Sequence, residues 1–220
     1  MIRVFLVDDQ ALWRAGIRHV IDSQPDLSVV GEAGDGREAL QALAVRRADV
    51  VLMDVRMPGL DGVETTRLLL ERDGERAPRV IVLTTFDADE HVVDGLRAGA
   101  SGFLLKDAEP DDLLGAIRAV AAGDAVIAPR ATRRLLEHVV PALAAAHAPD
   151  PRLAELTDRE RTVLLAVAGG ASNAEIGAQM HLAEATVKTH VGRLLAKLDA
   201  RDRVQLAIFA YESGLVRPGG

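Results

Sequence analysis

The chain has 220 residues, of which 49% are hydrophobic and 27% charged, a composition typical of a globular protein with one or two domains. The absence of cysteine excludes disulfides and thiolate metal sites, and the lack of a signal peptide or an apolar run of about 18 residues predicts a cytoplasmic protein without membrane association. The net charge of −7 divides into −8 for residues 1–150 and +1 for residues 151–220, so overall charge alone does not indicate nucleic-acid binding.

Residues 1–125 alternate short apolar runs with stretches of helical periodicity. Near-continuous apolarity is typical of strands that a parallel sheet buries on both faces. The predicted strands are Ile2–Val7, Leu27–Ala33, Val50–Met53, Val80–Thr84 and Gly102–Leu105. The predicted helices are Ala11–Ser23, Arg37–Arg46, Gly62–Arg72, Glu90–Ala98 and Asp111–Ala122. Five strand–helix units predict an α/β fold with an open, doubly wound, five-stranded parallel sheet.

The pattern changes after residue 123. A basic helix is predicted at Ala131–Val140, and the Ala- and Pro-rich segment PALAAAHAPDP follows it. Its prolines favour a semi-rigid linker over a core element. We therefore expect one domain at 1–123, a linker with a helix at 124–151, and a small all-α domain at 152–216.

Polar side chains stand at the carboxyl ends of four predicted strands, where an open parallel sheet binds its ligands. They are Asp8 and Asp9 after the first strand, Asp54 after the third, Thr84 and Thr85 after the fourth, and Lys106 after the fifth. Carboxylates that converge repel one another unless a cation lies among them, and Mg²⁺ suits carboxylate and phosphate oxygens. The set indicates a carboxylate that accepts a phosphoryl group, although any single residue could merely begin a loop or cap a helix.

Four segments in the same order, VFLVDDQ, VVLMDVRMPGLDG, VIVLTTF and GFLLKD, resemble the receiver domain of two-component response regulators, which has a flavodoxin-like fold. The resemblance implies that Asp54 is phosphorylated by a sensor histidine kinase. It also implies that Mg²⁺ is bound by Asp8, Asp9, Asp54 and the backbone carbonyl of Arg56. The implied switch and phosphoryl-binding residues are Thr84, Phe103 and Lys106.

Two positions depart from many receivers. Phe103 stands where a tyrosine is common, so no phenol hydrogen bond is available there. Asp107 replaces a proline that often follows the lysine, and the sequence leaves open whether the Lys106–Asp107 peptide is cis or trans. Neither change affects the expected phosphorylation chemistry.

Residues 153–214 show only helical periodicity. A first helix, capped by Asp158 or Thr157, is predicted to run to about Ala168, and Thr157-x-x-Glu160 forms a capping-box pattern there. Further helices are predicted at Asn173–Met180, Ala183–Leu198 and Arg203–Ser213. The third predicted helix has apolar residues on one face, and Thr189, Arg193 and Lys197 on the other. Short helices around a tight turn, the second basic on one side, indicate a helix-turn-helix, although a solvated surface helix has the same charge pattern.

The segments LTDRE, SNAEI, TVKTH and DRVQLA resemble the LuxR/NarL (FixJ) type of DNA-binding domain. The resemblance implies that Lys188 and Thr189 reach the major groove, that Arg193 and Lys197 reach the backbone or base edges, and that Thr186 reaches a phosphate. Gly192 departs from relatives that have a polar or basic side chain there. The helix Arg203–Tyr211 can serve the domain core, the pairing of two domains, or both.

Together the two resemblances predict a response regulator in which phosphotransfer to Asp54 controls homodimerisation and sequence-specific binding to promoter DNA. A phosphatase with an aspartyl nucleophile is an alternative, but its D-x-D motif is absent because Gln10 and Ala11 follow Asp8 and Asp9. A helical protein-interaction module is a third interpretation. We expect a regulator rather than an enzyme.

Overall fold

In the computed structural model, residues 1–84, 94, 95, 97–122 and 150–216 are described. The chain divides into two units, Met1–Val126 and Ile127–Gly220, and each is considered by itself. Thr85, most of the predicted helix Glu90–Ala98 and nearly all of the predicted linker, with its helix Ala131–Val140, lie outside the described residues. The domain boundaries therefore stay a prediction.

The first unit contains a five-stranded parallel sheet with the strand order β2-β1-β3-β4-β5. The strands are β1 (Ile2–Val7), β2 (Leu27–Ala33), β3 (Val50–Asp54), β4 (Arg79–Thr84) and β5 (Gly102–Leu105). This confirms the predicted fold class. Strand β3 includes Asp54 itself, so the predicted phosphoacceptor is held by the sheet rather than by the loop that follows.

Four helices of the first unit are described. Each of their ends either coincides with the predicted end or differs from it by one residue. They are α1 (Ala11–Asp22), α2 (Gly36–Val45), α3 (Gly62–Asp73) and α4 (Pro110–Ala121), with a 3-10 turn at Gly74–Arg76. Asp35 and Asp61 cap α2 and α3, each through a carboxylate that accepts the third residue's backbone N–H. Pro110 opens α4, where its missing N–H costs no helix hydrogen bond.

Both faces of the sheet are buried, as the apolarity of the strands predicts. On one face, alternate residues of β1, β3 and β4 pack with α1 and α4 in a single apolar cluster. The intervening residues, such as Phe5, Val51 and Met53, are equally buried on the opposite face. The two layers fix the strands, so side chains at the strand ends are presented on a rigid edge.

The second unit is helical in its described part. It has a 3-10 turn at Pro151–Glu155 and the helices α5 (Asp158–Ala168), α6 (Asn173–Met180), α7 (Glu184–Leu198) and α8 (Arg203–Glu212). The predicted capping box at Thr157 is present, and a second one joins Ser172 to Glu175 at the start of α6. Asp202 caps α8 by accepting two backbone N–H groups.

Helix α8 supplies much of the core of this unit. Val204, Ala207, Ile208 and Tyr211, which the sequence places at helical spacing, are all buried. The Tyr211 hydroxyl donates to the Ala168 carbonyl at 3.3 Å, which ties α8 to the end of α5. The predicted core role of α8 is therefore confirmed. No helix in the described parts of either unit is both long and apolar enough to cross a membrane.

Candidate phosphoacceptor site and nucleic-acid interface

Three carboxylates converge at the carboxyl ends of β1 and β3. Asp8, Asp9 and Asp54 each offer an oxygen, and these oxygens lie within 4.8 Å of one another. Asp8 and Asp54 are buried, whereas Asp9 is exposed. Oxygen ligands in this number and spacing fit a hard divalent cation such as Mg²⁺, which usually keeps several of its waters. The strand order explains the convergence, because β1 and β3 are direct neighbours.

Lys106 connects two of these carboxylates. Its Nζ lies 2.7 Å from Asp8 Oδ2 and 2.8 Å from Asp54 Oδ2. Burial lowers the pKa of Lys106, but hydrogen bonds to Asp54 and Asp8 outweigh that effect and raise it overall. Burial raises the pKa of Asp54, and the Lys106 hydrogen bond opposes the rise. The lysine therefore stays charged and offsets the repulsion between Asp8 and Asp54.

The position of Lys106 depends on strand pairing. Its backbone N–H donates to the Thr84 carbonyl at 2.8 Å, which continues the β4–β5 ladder past the end of β5. Thr84 and Phe103 are both buried on these neighbouring strands, where Phe103 pairs with Val82 and Thr84 with Leu105. The Lys106–Asp107 peptide, whose isomer the sequence leaves open, is trans.

Trp13 is a site neighbour that the sequence reasoning missed. Its ring centre lies 5.5 Å from Lys106 Nζ, on the first turn of α1 just after Asp9. The sequence contains a signal for this neighbour, since Trp13 is the only tryptophan of the chain and it follows the Asp8–Asp9 pair closely. A cation over an aromatic face is attracted by the ring's electron density.

The loop from Asp54 to α3 forms one wall of the site. Asp9, Arg56, Met57 and Asp61 line a cavity of about 400 Å³ there, together with Val55, Pro58 and Val63. The Arg56 backbone N–H donates to Asp54 Oδ1 at 3.3 Å. A Cβ at Gly62 would overlap the Asp54 backbone carbonyl oxygen, so only glycine lets α3 begin this close to the site.

In the second unit, α6 and α7 form the predicted helix-turn-helix. His181 ends α6 in the left-handed region with φ of 54°. A Cβ at Gly177 would lie 2.8 Å from the Leu182 carbonyl oxygen, so glycine permits the tight approach of the turn to α6. Val187, Val191, Leu194 and Leu198 are buried along one side of α7, as predicted.

The opposite side of α7 faces solvent. Thr186, Lys188, Thr189 and Arg193 are exposed there, and their contacts with DNA stay a prediction. The Thr189 hydroxyl donates to the Ala185 carbonyl at 3.0 Å, so its oxygen stays available as an acceptor. Gly192 lies on the same side, and an added Cβ would meet nothing within 4 Å.

Lys197 differs from its four companions. Its Nζ donates to Glu160 Oε2 at 3.0 Å, and that oxygen also accepts the Thr157 backbone N–H at 2.9 Å. The ion pair joins α7 to the capping box of α5. Periodicity within one helix could not reveal this partner, because Glu160 lies 37 residues earlier. The contact that the structure shows for Lys197 is therefore internal.

Each of the two units matches a known protein family. Residues 4–118 match the response regulator receiver domain, and residues 154–210 match the luxR family of bacterial regulatory proteins. A receiver fold with an acid cluster, followed by a helix-turn-helix of this kind, defines a transcriptional response regulator. The chain belongs to the response regulator family with a LuxR-type DNA-binding domain.

Relatives align over almost the entire chain. The uncharacterized transcriptional regulatory protein YxjL of Bacillus subtilis is 42% identical over 98% of each chain. The DNA-binding transcriptional activator DevR/DosR of Mycobacterium tuberculosis is 41% identical over 100% of this chain and 99% of the relative. Among solved structures, the response regulator ChrA of a heme-sensing two-component system is 34% identical with a TM-score of 0.52, covering 98% of both chains.

Proposed function

We propose that Asp54 accepts a phosphoryl group from a sensor histidine kinase, and that this event controls pairing of the protein and its binding to promoter DNA. The observation that supports it is the convergence of Asp8, Asp9 and Asp54 around one point, with Lys106 bonded to Asp8 and Asp54. A DNA-binding regulator of this kind acts in the cytoplasm, where its operator lies.

The transfer joins an Asp54 carboxylate oxygen to phosphorus and breaks the bond between phosphorus and the donor histidine nitrogen. The released imidazole keeps the electron pair and takes up a proton. Lys106 lies where it can neutralise a phosphoryl oxygen. Asp8, Asp9, Asp54 and the Arg56 carbonyl would hold Mg²⁺, which supplies positive charge against the developing charge on phosphorus when it is bound.

A phosphoryl group at Asp54 adds charge and three acceptor oxygens beside the end of β4. We assign the response to Thr84 and Phe103, which occupy adjacent strands next to Lys106. Movement of the Thr84 hydroxyl toward the phosphoryl group leaves space into which the Phe103 ring turns. Phosphorylation shifts this equilibrium only by its different interaction with the two arrangements.

Asp54→Asn tests the acceptor. Purified protein is incubated with a radiolabelled small phosphodonor and Mg²⁺, and incorporated label is counted. We expect the D54N protein to take up no label, and Asp35→Asn to label normally, because asparagine still caps α2 there. Label in the D54N protein would show that another residue is the acceptor.

DNA recognition is assigned to the exposed side of α7. Lys188, Thr189 and Arg193 enter or border the major groove, and Thr186 near the start of the helix meets a phosphate. Lys197 can contact DNA only if its ammonium group also keeps, or gives up, its ion pair with Glu160. We therefore give it the role of orienting α7 on α5, in addition to any backbone contact that its remaining protons allow.

Lys188→Ala tests the groove assignment, with Arg161→Ala as the matched control, since Arg161 is exposed on α5. Genomic fragments are selected with phosphorylated protein to define an operator, and affinities are measured across salt concentrations. We expect Lys188→Ala to weaken operator binding by about 1–3 kcal/mol if it contacts a base, mainly on the specific site. Unchanged affinity would remove Lys188 from the interface.

The homodimer is the final part of the proposal. The apolar face of α8 is buried in the core of its own unit. Pairing of two protomers through α8 would therefore involve its partly exposed residues Gln205, Phe209 and Glu212. Light scattering with and without phosphodonor measures the change in mass. A monomer under both conditions would remove dimerisation from the proposal.

A further inference from the structure

The N-terminal ends of the strands form a second polar cavity, opposite the acid cluster. It has a volume of about 670 Å³ and lies between the starts of β1, β3 and β4 and the ends of α2 and α3. Its described lining contains six arginines and two aspartates, namely Arg3, Arg46, Arg47, Arg72, Arg76, Arg79, Asp49 and Asp73. The formal charge of these lining residues is therefore +4.

The two aspartates are already engaged. Arg3 makes a two-pronged contact with Asp49 at 2.7 and 3.0 Å, and Arg72 makes one with Asp73 at 2.6 and 2.7 Å. These pairs hold the pKa of each carboxyl below its ordinary value through the arginine hydrogen bonds. Each carboxylate thus forms a two-pronged pair with one guanidinium group, and the charge of Arg76 also lowers the pKa of Asp73.

Helix ends explain part of the arginine content. Arg46 and Arg72 lie at the C-terminal ends of α2 and α3, where cations are favoured. Their guanidinium groups donate to the Val30 carbonyl of β2 at 2.9 Å and to the Leu40 carbonyl of α2 at 2.7 Å. Arg47 and Arg76 are different, because both are exposed and no hydrogen bond or ion pair joins them to another described residue. Like charges around a cavity repel one another, and an anion that enters the cavity reduces this repulsion.

Positive charge is concentrated at this cavity, although the surrounding part of the chain is acidic. Residues 1–150 have a net charge of −8, yet six of their 17 basic residues line this one cavity. A concave site of one sign focuses the electric field and attracts a counter-ion of opposite sign. Strand β1 places the cavity at Arg3, about 16 Å from the acid pair at its other end.

We propose that this cavity binds the phosphate chain of an oligophosphate, such as inorganic polyphosphate or the triphosphate of a nucleotide. Guanidinium groups bind phosphate oxygens in pairs and stay charged at every physiological pH. The volume lies within the ordinary range of small-ligand sites. The apolar lining is only Leu43, Ala44, Ala48, Ala77, Pro78 and Ala121, with no aromatic ring among the described lining residues to stack on a base. The phosphate chain is therefore the part recognised.

The test is calorimetric titration of the full chain with sodium tripolyphosphate at low salt and without Mg²⁺. We compare the wild type with Arg47→Glu/Arg76→Glu, which changes the two exposed arginines of the cavity. Arg37→Glu/Arg161→Glu is the matched control, since both arginines are exposed and outside the cavity lining. Lys188→Glu/Arg193→Glu removes charge from the exposed side of α7, which could itself attract polyanions.

We expect the cavity variant alone to weaken binding about tenfold or more, a loss that further salt makes smaller. Arg47→Gln/Arg76→Gln should show the same order of effect with less disturbance of the fold, and circular dichroism checks that both variants are folded. Equal weakening in the Arg37/Arg161 control would show general charge attraction and overturn the proposal. Loss confined to the Lys188/Arg193 variant, or no wild-type binding at low salt, would overturn it too.

ATP provides the second arm of the experiment. Affinities for ATP and tripolyphosphate within a few-fold of each other would support recognition of the phosphate chain, and tighter binding of longer polyphosphate would identify the inorganic polymer as the preferred source. An ATP affinity far above that of tripolyphosphate would contradict the assignment, because the base would then be bound. None of these results depends on phosphorylation of Asp54, so the two proposals fail separately.

Discussion

The Lys106 ammonium lies 5.5 Å from the centre of the Trp13 ring, and it is the same ammonium that bonds to Asp8 and Asp54. An aromatic face attracts a partly exposed cation by about 0.5–1 kcal/mol. Trp13 thus helps to hold Lys106 over the carboxylates. Because no other tryptophan is present, the tryptophan emission of the chain reports on the surroundings of Lys106.

Phosphorylation should change the emission of Trp13. When Asp54 is modified, Lys106 exchanges a carboxylate oxygen for phosphoryl oxygens, and its distance from the ring changes. The measurement is a fluorescence titration with a small phosphodonor in the presence of Mg²⁺. Asp54→Asn is the control and should show no response to the donor. If the wild type became labelled without any change in emission, Lys106 would not move on phosphorylation.

Gly62→Ala should destabilise the first unit. The added methyl group overlaps the Asp54 backbone carbonyl, and overpacking of this kind costs about 1–3 kcal/mol. Gly115→Ala in α4 is a matched helix substitution, since its Cβ would meet nothing within 4 Å, and it should stabilise the unit by about 0.5–1 kcal/mol. Urea unfolding followed by circular dichroism measures both. A neutral Gly62→Ala would mean that α3 can withdraw from Asp54 freely.

The second unit should lose stability in acid through Glu160. The Thr157 backbone N–H, followed by Lys197, lowers the pKa of Glu160 from the ordinary 4.5 to about 2. A pKa depressed in the folded state contributes stability that is complete above the unfolded value and is lost as the pH falls from 4.5 toward 2.

Glu160→Gln should remove this pH dependence. We expect the wild type to lose about 1–2 kcal/mol more than the variant between roughly pH 5 and pH 2.5, a range reduced for the partly exposed ion pair. Urea unfolding of the second unit at the two pH values measures the difference. Glu155→Gln changes an exposed acid nearby and should behave like the wild type. Parallel pH profiles for Glu160→Gln and wild type would contradict the assignment.

Gly192→Ala should stabilise the second unit without blocking its function. Glycine inside a helix costs about 0.5–1 kcal/mol relative to alanine, and the space beside Gly192 is open. Thermal unfolding measures the gain, and operator affinity should stay within a few-fold of wild type. A large loss of affinity would show that the DNA approaches the helix backbone at Gly192 closely enough to exclude a methyl group.

Much of the first unit could be predicted because strand and helix patterns are local. Buried strands of a parallel sheet are apolar throughout, and their carboxyl ends share one edge, so Asp8, Asp54 and Lys106 could be placed together before any coordinates. The predicted third strand ends one residue too early, at Met53, since β3 includes Asp54. The pairing of Asp54 with Leu83 of β4 holds Asp54 in the sheet.

The contacts that escaped prediction join segments far apart in the chain. Glu160 meets Lys197 and Trp13 meets Lys106 only because helices pack in particular orientations. The arginine cavity collects side chains from β1, β4, the end of α2 and the end of α3, none of which is unusual in its own segment. Composition and periodicity describe one element at a time, so such clusters appear only in the folded unit.

The two edges of the sheet have opposite charge. Carboxylates gather where the strands end, and guanidinium groups gather where they begin, so the first unit behaves as an electric dipole aligned with its strands. A phosphoryl group on Asp54 would enlarge this dipole. Two such units lying side by side with their strands in opposite directions would attract each other, and phosphorylation would strengthen that attraction over the roughly 8 Å that salt leaves unscreened.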